Sequence, residues 1–230
     1  MSRTATPPRP AGRTARPARP LLTAFAAAAA VDLVAVLAGL DAVHVVAKPL
    51  LMPLLAGYAW ARRAPGPLIA AVLCGWAGDV ALLFDTDLAF LAGMGAFAIG
   101  HVCYLALFGR RRTSPALGLG YLVVLAVMVG LLWSDLPAGM RIPVAAYSVL
   151  LTAMAYRSSA LGVRAAAGGA LFLLSDAVIA AGVADWPRLP ASAFVVMATY
   201  IAAQYLLVSG ALGDARGDAP AYGEGAKAQV

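Results

Sequence analysis

The sequence predicts an all-α, polytopic transmembrane bundle of about eight spans, with both termini in the cytoplasm. Three observations carry this reading. The 230-residue chain is 62% hydrophobic and 12% charged, with a mean hydropathy of +0.83, whereas soluble domains carry about 25% charged residues. Its apolar residues fall into runs long enough to cross a bilayer, separated by short segments of turn-forming residues. Its Lys and Arg residues gather in alternate connections, the pattern that orients membrane proteins.

The elements follow in order. Residues 1–20, rich in Arg, Pro, Ala and Thr, read as a disordered basic cytoplasmic tail, too polar to bury. They resemble the start of a signal peptide, but no short apolar core with a clean cleavage site follows. The membrane domain is expected over 21–212, with spans at 21–40, 42–61, 67–84, 88–109, 115–134, 141–157, 164–184 and 190–212. Only Asp41 and His44 mark the first division, yet the combined run is roughly twice the ~20 residues of one crossing. The later breaks are stronger: Arg62-Arg63-Ala64-Pro65-Gly66, Asp85-Thr86-Asp87, Leu136-Pro137-Ala138-Gly139 and Asp185-Trp186-Pro187-Arg188. Residues 213–230, polar and rich in Gly and Ala, are expected to form a second disordered cytoplasmic tail.

Apart from Lys48, Arg141 and Arg188, every Lys and Arg lies in a terminal segment, in the connections after spans two and four, or at the span ends flanking the connection after span six. Eight spans put all of these on one side, and the positive-inside rule makes that side cytoplasmic. Reporter fusions at Val230 and after Arg112 are expected to report cytoplasm, and one near Asp135 the exterior. An exterior signal from the C-terminal fusion would overturn the eight-span topology. The net charge of +6 and pI of about 9.7 then follow from orientation and from anionic headgroups. Membrane lipids, not nucleic acid, are the expected partners, and a bacterial-type plasma membrane is the expected location. Nothing in the chain indicates an oligomeric state.

Against this background four residues stand out: Lys48, Asp79, His101 and Asp176. An Asp or Lys at the centre of a span costs about 2.5–3.5 kcal/mol even on lenient scales, and such residues face a bundle interior. Counting along the helices, Lys48 and Asp79 lie about six residues from the outer face, Asp176 about nine, Tyr200 about ten and His101 about thirteen. One cavity in the outer half of the bilayer would hold both aspartates and the lysine. Lys48 precedes Pro49 and Pro53, which remove backbone donors and free carbonyls that need partners in lipid. Gly75 and Gly78 precede Asp79, as Gly168 and Gly169 precede Asp176, and small residues let helices close around a carboxylate. Trp76, three before Asp79, is expected to cover that face. Asp32 has no comparable neighbours. His101 aligns with Phe97 and Tyr104 in one inward stripe, and Tyr200 with Gln204 in another.

Cys74 and Cys103 both lie inside spans and read as small packing residues without a metal or disulfide pattern. Neither aspartate has a histidine at i+3 or i+4, so no metal site and no cofactor is expected. Ser175 lacks the Gly-x-Ser-x-Gly setting of an activated serine.

These segments together resemble the YhhN family of membrane proteins, whose characterised animal members are lysoplasmalogenases. The matching elements are Lys48-Pro49; Gly78-Asp79 with Leu82-Leu83; and Phe90 through Gly93 with Phe97, His101 and Tyr104. Gly169-Ala170, Phe172 and Ser175-Asp176 match in the seventh span, and Tyr200 with Gln204 in the eighth. The likeness runs from about residue 44 to 208, and leaves out the Arg- and Pro-rich N-terminal segment. It implies an integral membrane hydrolase that cleaves the vinyl ether bond of a lysophospholipid substrate to a fatty aldehyde and a glycerophospho-alcohol.

Vinyl ethers hydrolyse by protonation at the β-carbon and capture of the oxocarbenium ion by water. That chemistry needs one protonated carboxyl and one carboxylate, much as two-carboxylate glycoside hydrolysis does. Asp79 and Asp176 are the expected catalytic pair. Lys48, His101, Tyr104, Tyr200, Gln204 and Ser175 are the expected substrate-binding or tuning residues, with Lys48 either holding one acid ionised or gripping the lysolipid phosphate. The competing reading is a small membrane transporter or lipid-binding protein using the same buried acids, since spans three and seven run in the same direction as a parallel repeat would.

Overall fold

Eight α-helices arise wherever an apolar run meets a breaker, and the computed structural model describes them over residues 18–187 and 190–217. They are α1 (Ala18–Ala38), α2 (Asp41–Ala61), α3 (Gly66–Ala81), α4 (Asp87–Phe108), α5 (Pro115–Leu132), α6 (Ala138–Ser158), α7 (Val163–Val183) and α8 (Ser192–Gly217). No strand occurs among the described residues. Seven of these helices are long and apolar enough to cross a membrane, and the protein is a multi-pass integral membrane protein. The exception, α3, has 16 residues, about 24 Å at 1.5 Å per residue against a hydrocarbon core of about 30 Å. It ends three residues before the expected 84 and turns through Leu83 N–H to Val80 O and Phe84 N–H to Ala81 O. Asp79 therefore sits in its last turn.

The uncertain first division is made by Gly39, whose φ of +66° ends α1 in the left-handed region that glycine enters without steric cost. Thr86 and Ser114 cap α4 and α5 by accepting from the backbone N–H of Ala89 and Leu117, and Pro115 opens α5 at a position where its missing N–H is not needed. At the other end α8 continues to Gly217 instead of stopping at 212, because no proline interrupts the polar segment before Pro220. The two expected tails and the orientation of the termini lie largely outside the described residues.

Consecutive helices pair as hairpins, most closely α1 with α2, α3 with α4 and α7 with α8. The α2 residues Leu51, Met52, Leu55 and Ala59 and the α8 residues Ala203, Leu207 and Val208 are fully enclosed, so these two helices form the centre. Glycine makes the α7–α8 seam possible: a Cβ at Gly168 would lie 2.9 Å from both Ala203 O and Leu207 N. By contrast α5 buries only Leu132. Its Leu119, Leu122 and Val123 are exposed, as side chains facing lipid must be.

The connection between α5 and α6 is latched to that after α7. Trp186 Nε1 donates to Asp135 Oδ2 at 2.7 Å and Ser134 Oγ to Asp135 Oδ1 at 3.0 Å. These bonds hold the exposed Asp135 carboxyl below its ordinary range. The latch is thus intact above a carboxylate's usual pKa of about 3.9 and is lost as pH falls through the lower folded value.

Candidate active site

Two carboxylates, one lysine and two tyrosines meet inside the bundle. A cavity of about 400 Å³ is lined by Lys48 from α2, Asp79 from α3, Tyr147 from α6, Asp176 from α7 and Tyr200 from α8. The rest of its wall is mostly apolar, including Phe90, Met94 and Phe97 of α4 and Tyr121, Val124, Leu125 and Met128 of α5. This volume falls within the ~300–1,000 Å³ of ligand pockets. The α4 and α5 walls face the cavity while scarcely touching one another, because α5 packs on α6 and lightly on α7.

Local sequence places each polar group. Pro53 has no N–H to give the Pro49 carbonyl, and Trp76 Nε1 donates to that oxygen at 3.0 Å. The proline pair thus ties α2 to α3, and Lys48 and Asp79 line the same cavity. Trp76 does not shield the aspartate as expected: it is 39% exposed and serves the freed carbonyl. Lys48 is buried and lines the cavity. No direct ion pair joins it to Asp79 among the described residues, though both line the same cavity.

Each aspartate ends a hydrogen-bonded relay. Tyr200 Oη donates to Asp79 Oδ2 at 2.8 Å. Gln204 Nε2 donates to Tyr200 Oη at 3.3 Å, and Tyr104 Oη donates to Gln204 Oε1 at 2.6 Å. On the other side Tyr147 Oη donates to Asp176 Oδ2, and Tyr147 Oη and His101 Nε2 lie 3.0 Å apart. Phe172 packs between the relays, edge-on to His101 at 4.9 Å and to Tyr200 at 5.4 Å. Gly75 leaves room for the first relay, since a Cβ there would stand 2.8 Å from Gln204 Nε2 and 3.1 Å from Tyr200 Oη. Gly78 leaves room for Phe97, whose ring would be 2.5 Å from an added Cβ.

Of the sequence-predicted residues, Lys48, Asp79, Asp176, Tyr200 and Ser175 line the cavity. His101, Tyr104 and Gln204 stand behind it, and His101 and Tyr104 serve different aspartates. Ser175 uses its hydroxyl to donate to Val196 O at 3.1 Å, joining α7 to α8. Tyr147 was not singled out from sequence, where a lone tyrosine in a span has no distinguishing neighbour. Asp32 is not isolated either: it is fully buried and paired with His44 Nδ1 at 2.8 Å. The position of His44 and Lys48 four residues apart on α2 was the available signal. Among the described residues no cluster of three His, Cys, Asp or Glu side chains is placed to hold a metal ion.

The fold and site define a polytopic membrane protein with an acidic, apolar-walled cavity inside its helix bundle. The chain belongs to the YhhN family, which it matches over residues 43–211. It is 38% identical to human lysoplasmalogenase TMEM86B over 69% of this chain and 70% of that protein. It is 39% identical to the pig protein and 36% to the mouse protein of that name, over 66% and 63% of this chain. The matches span a little under two thirds of those two relatives, at 64% and 63%. No solved structure matches the chain.

Proposed function

We propose that this protein is a lysoplasmalogenase-type hydrolase, cleaving the vinyl ether bond of a lysoplasmalogen to a fatty aldehyde and a glycerophospho-alcohol. The observation that carries the reading is the pair of carboxylates exposed to one apolar-walled cavity in a chain whose relatives bear that name. The two acids suit the chemistry: one protonates the β-carbon, and the other takes a proton from the water that captures the oxocarbenium ion. Lys48 supports an ionised neighbour or holds the substrate phosphate. The apolar wall suits an alkenyl chain, and the loose α4–α5 seam suits its entry sideways from the bilayer. The arginine-rich connections suit the cytoplasmic face of a bacterial-type plasma membrane.

Purified protein in detergent, given lysoplasmalogens with choline or ethanolamine headgroups, is expected to release aldehyde and the matching glycerophospho-alcohol. A 1-acyl lysophospholipid, which has an ester in place of the vinyl ether, is expected to remain intact. Saturable lipid binding without aldehyde release would replace this reading with that of a transporter or lipid-binding protein.

A further inference from the structure

We infer that Asp176 is the proton donor and Asp79 the carboxylate that activates water, with Tyr147, backed by His101, as the residue that positions Asp176. The inference rests on the hydrolase reading above and assigns its two acids different roles.

Both aspartates accept a tyrosine hydroxyl on Oδ2, so the hydrogen bonds alone do not distinguish them. Lys48 does. It belongs to α2, which packs closely on α3, the helix of Asp79, and has no comparable contact with α7, the helix of Asp176. Asp79 also lies in the last turn of α3, where the helix dipole opposes a negative charge, so the lysine supplies what the ionised form lacks. The groups bonded to Asp176 or standing behind it are neutral, Tyr147 from α6 and His101 from α4; across the cavity lie Tyr200, Asp79 and Lys48, the last on the α2–α3 side. Two like charges sharing one cavity disfavour double ionisation, and the carboxyl on the side away from the lysine's helix is the one that keeps its proton.

The second relay fixes where that proton points. His101 is buried and its Nδ1 has no partner among the described residues. A buried acceptor without a partner is tolerated more often than a buried N–H without one, which puts the imidazole proton on Nε2. His101 Nε2 then donates to Tyr147 Oη, and the tyrosine proton is committed to Asp176 Oδ2. Oδ1 is left to carry the acidic proton into the cavity.

The cycle closes on these groups. Asp176 gives its Oδ1 proton to the β-carbon, whose π electrons form the new C–H bond while the ether oxygen stabilises the cation. Water adds to the α-carbon and passes a proton to Asp79. The hemiacetal O–H then returns a proton to Asp176 as the C–O bond to glycerol breaks, and Asp79 protonates the departing alkoxide. One water is consumed and both carboxyls end as they began. Tyr147 contributes most while Asp176 is ionised, when its hydrogen bond becomes charge-assisted.

The test reads protonation directly. Infrared spectra of the purified full-length protein at neutral pH should show the C=O stretch of a buried carboxylic acid. This band should vanish in Asp176→Asn, persist in Asp79→Asn and move in Tyr147→Phe. A band lost only in Asp79→Asn, or absent from the wild type, would overturn the assignment. Because no substrate is involved, this result stands even if no aldehyde is released, an outcome that would sink the hydrolase reading separately. In turnover, Tyr147→Phe should lower kcat about tenfold or more with KM nearly unchanged, the loss of a hydrogen bond to a charged group. The Tyr147→Phe/His101→Gln double variant should be no slower, because the two act as a unit. Where Tyr147→Phe does not stay monodisperse, His101→Gln alone decides, by the same band shift and kcat loss. An unmoved band with unchanged kcat overturns the positioning role.

Discussion

Asp79→Asn and Asp176→Asn are each expected to abolish lysoplasmalogen turnover, with kcat down by at least ~10²-fold, while the protein stays inserted and monodisperse. The expected separation of activity from folding follows from geometry. Each carboxylate, Asp79 buried and Asp176 half-buried, packs against a tyrosine that donates to Oδ2, and the carbonyl oxygen of an asparagine accepts the same bond in nearly the same volume. The variants therefore lose a transferable proton and a charge but keep the hydrogen bond that holds α6 to α7 or α8 to α3. Asp32→Asn is the control. Asp32 is buried like Asp79, yet it pairs with His44 and does not line the cavity, so its variant is expected to retain turnover. Aldehyde release measured on purified protein, with size-exclusion elution beside it, checks all three. Retained turnover in either of the first two would rule out a mechanism by paired acids, and loss of the folded protein would make the carboxylates chiefly structural.

The second large effect falls on Lys48. If its charge keeps Asp79 ionised, Lys48→Met lowers kcat by about tenfold or more and displaces the pH–rate profile. If it grips phosphate, the same change raises KM and leaves kcat and the profile in place, the signature of lost uniform binding. The first result is the one expected, because the Pro49–Trp76 bond holds α2 against α3 and Lys48 lines the same cavity as Asp79. Lys48→Arg sharpens the comparison: a phosphate site accepts guanidinium, whereas an enclosed position shaped for an ammonium does not. Steady-state kinetics of the three proteins across pH check this, and unchanged kcat and KM in Lys48→Met would remove the residue from the site.

The succession of helices and the presence of a polar interior were decided by the sequence alone. Hydropathy adds up along the chain, and lipid forces each span to satisfy its own backbone hydrogen bonds. The eight helices could therefore be placed within a few residues without knowing what they touch. For the same reason Lys48, Asp79, His101 and Asp176 stood out, since each breaks an apolar run that would otherwise be uninterrupted. The spacing of Pro49 and Pro53 likewise announced a carbonyl in need of a donor, though not that Trp76 would supply it.

Partnership was decided by the tertiary structure. Helical spacing assigns His101 and Tyr104 to one face of α4, yet one reaches Tyr147 of α6 and the other Gln204 of α8. Tyr147 and Asp176 are 29 residues apart in sequence, and a tyrosine carries no penalty in a span that would mark it. Asp32 seemed isolated because its partner His44 lies beyond the Gly39 turn. Periodicity fixes the direction of a side chain relative to its own helix. What it meets depends on how neighbouring helices rotate and how closely glycines such as Gly75 and Gly168 let them approach, and those distances exist only once the bundle is packed.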